Sequence, residues 1–252
     1  VRFIYRRCDL ILAQSRAFFP NIAHWAGDAS RIRYFPNWVE AVFETGAHGG
    51  EPAAELLPYR DTFNVMFAGN IGAAQDFPAI LDAAERLRDQ AALRWLVVGD
   101  GRAADDVRAE IARRGLEGCV VLLGRHPVER MPSFFRGASA LLVSLRAEPI
   151  FGMTIPGKVQ SYLAAGLPLL GMLDGEGARV IEEAGAGLVC PAGRGDELAD
   201  RVLHLMSLTA EERARMGERG RAYCLREFDR ATLTASLEAW IETLTGSGKP
   251  AR

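Results

Sequence analysis

Residues Thr154–Pro168, TIPGKVQSYLAAGLP, decide how this chain is read. Pro156 and Gly157 open a helix, Val159, Tyr162 and Leu163 fall on one face of it, and Gly166 with Pro168 ends it. Lys158 is the odd residue. It puts a positive charge in the first turn, where free backbone N–H groups and the helix dipole are already electropositive. A phosphate or pyrophosphate would be held by the lysine and the amides together, so the helix start reads as an anion site. The plain alternative is a solvated lysine on a short surface helix.

The pattern extends outward from this helix in both directions. Upstream, apolar strands are expected at Phe63–Ala68, Leu93–Val98, Val120–Leu123 and Ala140–Leu145, and downstream at Leu169–Met172 and Leu188–Cys190. Helices fall between them at Phe77–Leu87, Arg102–Arg114, Met131–Arg136 and Ala178–Ala184. Strands this apolar, interleaved with helices, belong to a parallel sheet covered on both faces. With right-handed crossovers this is an α/β, Rossmann-like doubly wound domain. Three helices follow, at Glu197–Met206, Ala210–Leu225 and Ala231–Leu244.

Before the domain, Val1–Arg7 reads as the end of a helix, Leu10–Gln14 and Ile32–Phe35 as strands, and Ala17–Trp25 as a helix. Two strands do not bury a core alone, so residues 1–44 read as the remnant of a second, N-terminal domain. The expected division is therefore 1–44, a linker at 45–60, the Rossmann-like domain at 61–229, a helix at 230–245 packing toward the N-terminal domain, and a disordered tail at 246–252. The chain opens without an initiator Met and reads as part of a longer protein.

Composition removes several function classes. The 252 residues are 49% hydrophobic and 25% charged, which fits a globular protein. A net charge of −2 provides no basic field for nucleic acid. Cys8, Cys119, Cys190 and Cys224 are far apart and form no CxxC or metal-ligand spacing, which suits buried thiols in a reducing cytoplasm. No apolar run approaches the ~20 residues of a membrane span, and no signal peptide is visible.

In an open parallel sheet, ligands sit beyond the carboxyl ends of the strands. After the first strand of the domain comes GNIGAAQDF, in which Gly69 and Gly72 let backbone amides approach an anion and Asn70 and Gln75 add polar groups. It lacks a full GxGxxG, and no GxxxxGK followed by Ser or Thr occurs, which argues against an NTPase. Gly99 and Asp100 follow the second strand, with Asp100 read either as a ligand or as the cap of the next helix. Arg125 and His126 follow the third strand, Ser144, Arg146 and Glu148 the fourth, and Glu176 lies in the loop after the fifth. Singly, each has a plain reading: Arg146 with Glu148 as a surface ion pair, His126 as a turn residue. Together they supply cations and amides for a diphosphate and carboxylates for sugar hydroxyls.

The segments FAGNIGAAQDF, WLVVGDG, VVLLGR, ALLVSLR, IPGKVQSYLAAGLPLL and GAGLVCPAG resemble the C-terminal, donor-binding half of a GT-B fold glycosyltransferase of glycosyltransferase family 4. DLILAQS and IRYFPNWVEAVF resemble the last strands of the N-terminal domain and the crossover into the linker. The nearest likeness is to bacterial enzymes that add N-acetylamino sugars to lipid-linked surface-polysaccharide precursors. The resemblance implies a UDP-sugar donor, a lipid-linked or glycan acceptor, retention at the anomeric carbon, and no metal or other cofactor. It also implies a cytoplasmic location, and leaves open peripheral association with the inner face of the plasma membrane through the N-terminal domain. On this basis Lys158 and Arg146 stabilise the leaving diphosphate. The donor contacts are expected at Gly69, Asn70, Gly72, Gln75, Gly99, Asp100, Arg125, His126, Ser144, Gly157, Ser161 and Glu176.

The chain departs from the family pattern at two places. The Arg and Lys that many members carry after the first strand stand here as Asn70 and Gln75, and the two glutamates eight positions apart stand as Met153 and Ser161. Lys158, with Arg146, is expected to take over the phosphate charge, and Ser161 to reach the ribose from the same helix face. The chain is expected to bind a sugar nucleotide and to transfer poorly alone. A sugar-nucleotide epimerase and a non-catalytic nucleotide-sugar-binding domain are the other two readings.

Overall fold

In the computed structural model, which describes residues 1–44 and 50–246, the apolar runs pair in parallel, as their lack of polar alternation requires. The N-terminal part holds α1 (Arg2–Tyr5), β1 (Ile11–Ala13), α2 (Phe19–Ala26), β2 (Ile32–Tyr34) and α3 (Ala41–Glu44). β1 and β2 form a two-stranded parallel sheet, and Ile11, Ala13, Ile22, Ala26 and Ile32 make its small separate core.

The main sheet contains β3 (Phe63–Ala68), β4 (Leu93–Val98), β5 (Val120–Gly124), β6 (Ala140–Ser144), β7 (Leu169–Met172) and β8 (Gly187–Cys190). Their order is β5-β4-β3-β6-β7-β8, all parallel. The chain winds outward from β3 in one direction, then from β6 in the other. That reversal puts the switch point between β3 and β6, where the loops at the carboxyl edge diverge and leave a crevice.

Alternate residues of the strands feed two cores. Met66, Ala68, Leu96, Val98, Leu141 and Val143 face one layer, which contains α6 (Met131–Phe135), α8 (Gly157–Ala165), α9 (Glu176–Glu183) and part of α11 (Ala210–Glu227). Val65, Phe67, Trp95, Val97 and Leu142 face the other, made by α4 (Phe77–Arg86), α5 (Ala104–Arg114) and α10 (Gly195–Ser207). A short α7 (Pro149–Gly152) precedes α8, and α12 (Arg230–Gly246) ends the described chain. α12 runs back to the N-terminal part, where Trp240 meets Phe35 with ring centroids 6.2 Å apart.

Three sequence expectations change. The segment expected to be a featureless linker carries a 3-10 turn at Ala54–Tyr59, because Leu56 is buried, Ala53 N–H donates to Ser133 O at 2.9 Å, and Glu55 pairs with Arg130. The helix expected from Arg102 starts at Ala104. Asp100 does not cap it and instead accepts from the Gly101 amide at 2.7 Å. Helix α7 was not foreseen, since a four-residue turn is too short to show a period. Of the expected linker and tail, residues 45–49 and 247–252 lie outside the described residues, while Gly246 closes α12.

Candidate functional site

The crevice opens into a cavity of about 1290 Å³. Its floor is made where the loops after β3, β4 and β5 are laced together by main-chain bonds. Gly69 N–H donates to Val98 O and Gly99 N–H to Gly124 O, both at 2.8 Å, and Ile71 N–H donates to Asp100 O at 2.9 Å. Two glycines are obligatory here. Gly99 has φ +145°, and a Cβ on it would lie 1.9 Å from Gly69 O; Gly69 has φ +138°, and a Cβ on it would lie 2.6 Å from Lys158 Cε. The backbone is stripped of side chains so that the lysine can lie along it.

Lys158 reaches this place from the first turn of α8. The helix is entered through Pro156, which provides no side-chain cap; Val159 N–H donates to Pro156 O at 2.9 Å, and among the described residues the amides of Gly157 and Lys158 have no such partner and keep their ligand-binding capacity. The ammonium sits 4.8 Å from the centroid of the Phe67 ring. Among the described residues no carboxylate pairs with it. Burial therefore lowers the amine from its usual 10.5 to about 8. Tyr162, one turn further along, fixes the register of α8 against the sheet: its buried hydroxyl accepts from Ala68 N–H at 2.9 Å and donates to Ala68 O at 3.0 Å. Ala68 immediately precedes Gly69, so this pair of bonds holds the loop and the lysine in fixed relation. Ser161 Oγ donates to Gly157 O at 3.2 Å, which leaves its lone pairs able to accept.

Nine of the expected residues line the cavity: Gly69, Asn70, Gly99, Asp100, Arg125, His126, Gly157, Lys158 and Ser161. The structure does not bring the others to it. Gly72, Gln75 and Ser144 brace the loop after β3: Gly72 N–H donates to Gln75 Oε1 at 3.1 Å, and Ser144 Oγ donates to Gln75 O at 2.7 Å. Arg146 is also displaced. The chain leaving β6 crosses the β3 loop, with Arg146 N–H bonded to Ala74 O at 2.9 Å, and the side chain lines a smaller cavity of about 320 Å³ between α4 and α5. That cavity lies on the layer opposite α8, and Arg146 does not line the cavity of Lys158. Glu176 is buried at the start of α9, with its two oxygens held by Arg179 at 3.0 and 3.1 Å, and does not line the cavity.

His126 faces the cavity as a ring, not as a donor. Its Nε2 lies 3.0 Å from Leu123 O, which requires the proton on that nitrogen, and Nδ1 accepts from Arg130 Nη1 at 3.0 Å. Arg130 in turn grips both oxygens of Glu55, at 2.9 and 2.8 Å, which holds the Glu55 carboxyl down at about 2. The cavity wall is thereby tied to the segment before β3.

Sequence reasoning missed the part of the cavity that the N-terminal segment lines. Asn37, Trp38, Glu40 and Phe43 contribute it, and buried Gln160 ties it to α8 by donating to Asn37 O at 2.9 Å. The only local signal was FPNWVE, an exposed Trp beside a carboxylate directly after a strand. Among the described residues no cluster of three His, Cys, Asp or Glu side chains is placed to hold a metal ion, and no helix is long and apolar enough to cross a membrane.

Residues 62–207 match the sequence model of the glycosyl transferases group 1 family. The chain belongs to that family. Its six-stranded parallel sheet with flanking helices matches the C-terminal domain of GT-B glycosyltransferases. Anabaena Alr3699/HepE, solved in complex with UDP and glucose, superposes with a TM-score of 0.77 at 17% identity, over 96% of this chain and 65% of that one. A glycosyltransferase from Rickettsia africae superposes with a TM-score of 0.79 at 14% identity, over 96% of this chain and 66% of that one. The C-terminal domain of the group 1 family protein LpcC from Francisella tularensis gives a TM-score of 0.58 at 15% identity, over 73% of this chain and 98% of that domain. This group 1 chain thus spans a little under two thirds of the longer structures it matches. No curated protein matches its sequence.

Proposed function

We propose that this chain binds a UDP-sugar as the donor side of a family 4 glycosyltransferase, with the diphosphate on Lys158 and the first-turn amides of α8. The observation that carries this reading is a desolvated lysine without a carboxylate partner among the described residues, laid along a glycine backbone at the mouth of an uncapped helix. The cavity walls suit the rest of the donor. Asp100, Asn70 and Ser161 offer acceptors to hydroxyls, and the loop with Arg125 and His126 offers backbone and a flat ring to a nucleobase.

Transfer breaks the bond between the anomeric carbon and the diphosphate, and negative charge develops on the leaving oxygens. Lys158 and the α8 amides are fixed where that charge grows and need no reorganisation to meet it. Retention at the anomeric carbon, an N-acetylamino sugar, and a lipid-linked or glycan acceptor in cell-surface polysaccharide synthesis at the inner face of the plasma membrane are what the family resemblance implies for the reaction. Calorimetric titration with UDP and UDP-N-acetylglucosamine tests the donor site. The Lys158→Ala variant is expected to lose about 1.5–3 kcal/mol of UDP binding, roughly 10- to 100-fold, as for a hydrogen bond to a charged group. Wild-type protein that binds neither ligand, or a variant that binds both as tightly as wild type, overturns the reading.

A further inference from the structure

We propose that Trp38 and Glu40, which line the same cavity as Lys158, form a pyranose subsite; this rests on the donor-site reading above. The cavity, at about 1290 Å³, exceeds the roughly 300–1,000 Å³ of a pocket for one drug-sized ligand. Its chemistry is divided. Among its lining residues Gly69, Gly99 and Lys158 offer backbone and a cation, and Trp38 and Glu40 offer an aromatic face and a carboxylate.

An unpaired carboxylate repels phosphate. It accepts hydrogen bonds from vicinal hydroxyls, and an indole face attracts the weakly positive C–H hydrogens on one side of a sugar ring. That pairing selects a neutral saccharide. Among the described residues the Glu40 side chain, exposed and lining the cavity just before α3, has no hydrogen-bond or ion-pair partner and is open to a ligand.

The indole is built as a platform. Arg230, the first residue of α12, packs over the Trp38 ring with its guanidinium carbon 5.7 Å from the centroid. Phe35 meets the indole edge-on at 6.3 Å and 80°, and is itself backed at 6.2 Å by Trp240 of the same helix. Trp38 is nevertheless 40% exposed. A large aromatic packed by a cation and one ring, which a second ring backs in turn, and left partly exposed where it lines a polar cavity, is prepared for a flat ligand surface.

A pyranose here comes from one of two sources, the transferred sugar of the donor or the acceptor saccharide, and the test separates them. UDP, UDP-glucose and UDP-N-acetylglucosamine are titrated calorimetrically into wild type, Trp38→Ala, Trp38→Phe and Glu40→Gln. In parallel, saturation-transfer NMR follows the methyl glycosides of glucose, galactose, mannose and N-acetylglucosamine, with and without UDP.

If the donor sugar occupies the subsite, Trp38→Ala weakens a UDP-sugar at least tenfold, Trp38→Phe less than threefold, and UDP itself less than twofold. If the acceptor occupies it, the UDP-sugar affinities hold and the glycoside signal disappears in Trp38→Ala and falls in Glu40→Gln. Either pattern supports the subsite. Equal weakening of UDP and UDP-sugars by Trp38→Ala overturns it, as does a set of variants in which no UDP-sugar affinity and no glycoside signal changes. The glycoside arm without UDP still reports on Trp38 if the donor-site reading fails.

Discussion

The depressed Lys158 amine makes donor binding depend on pH in a way that can be worked out in advance. Burial lowers the group to about 8 in the free protein. A bound diphosphate favours the charged form and raises it again, so above pH 8 each binding event takes up a proton. Between pH 7.5 and pH 9 the protonated fraction of a group titrating at about 8 falls roughly eightfold, and UDP affinity should fall by the same factor, about 1.2 kcal/mol. The phosphate titrates little over this range, because its second ionisation, with a pKa of about 6, is nearly complete by pH 7.5. Lys158→Met removes the dependence and carries any contribution from the uracil ring, so the difference between the two profiles belongs to the lysine. Stability moves in the opposite sense to affinity. The unfolded chain holds this proton more tightly than the folded one, so the free energy of unfolding rises as pH climbs from about 8 to 10.5. At neutral pH, Lys158→Met should stabilise the unliganded fold by up to about 3 kcal/mol. Isothermal titration at four pH values, with urea melts of the unliganded protein, measures both. A flat affinity profile for wild type, or parallel slopes for wild type and Lys158→Met, refutes the desolvated-lysine argument.

Other consequences follow from the same geometry. Tyr162→Phe deletes a hydroxyl that serves both polar groups of Ala68 and leaves them buried without partners; urea melts should show a loss of about 1–3 kcal/mol. Gly99→Ala drives a methyl into Gly69 O at a positive φ and should cost more than about 2 kcal/mol by the same assay, together with loss of UDP binding. Arg146→Ala should leave UDP affinity within about twofold of wild type, since its side chain lies over the α4 and α5 layer; a tenfold loss in titration would return it to the phosphate site.

The fold was legible because its signals are local. The strands from Phe63 to Cys190 are mainly apolar runs, with Asn64 and Arg94 among the few interruptions, and the helices between them keep their own period and are closed by residues such as Gly115 and Gly166 in left-handed caps. The Lys158 turn was legible for the same reason: a basic residue after Pro-Gly at a helix start is an anomaly within four residues. Loop residues were less so. Arg146 and Glu176 have the charges a diphosphate sugar requires, but the direction a side chain takes after a strand is set by where the loop is pinned. Arg146 is turned away by its amide bond to Ala74, and Glu176 is captured by Arg179 one helical turn along.

The part of the cavity lined by Asn37, Trp38 and Glu40 was illegible for a different reason, which bears on how the site works. Asn37 and Gln160 are 123 positions apart and meet through a single bond, and Trp38 is set by Arg230, further still along the chain. No local pattern encodes such a meeting; it exists only once α3 packs on α8 and α12 returns to Phe35. The Lys158 turn and its glycine backbone are thus built within one continuous domain, whereas the surroundings of Trp38 depend on contacts between chain segments from both ends of the sequence. A perturbation of α12 should therefore act selectively. Trp240→Ala removes the backing of Phe35, loosens the indole and should weaken saccharide contacts while leaving the lysine end, and with it UDP affinity, within about twofold of wild type. Equal loss at both ends in titration and saturation-transfer measurements would show that the cavity is one cooperative unit and that the division drawn here is wrong.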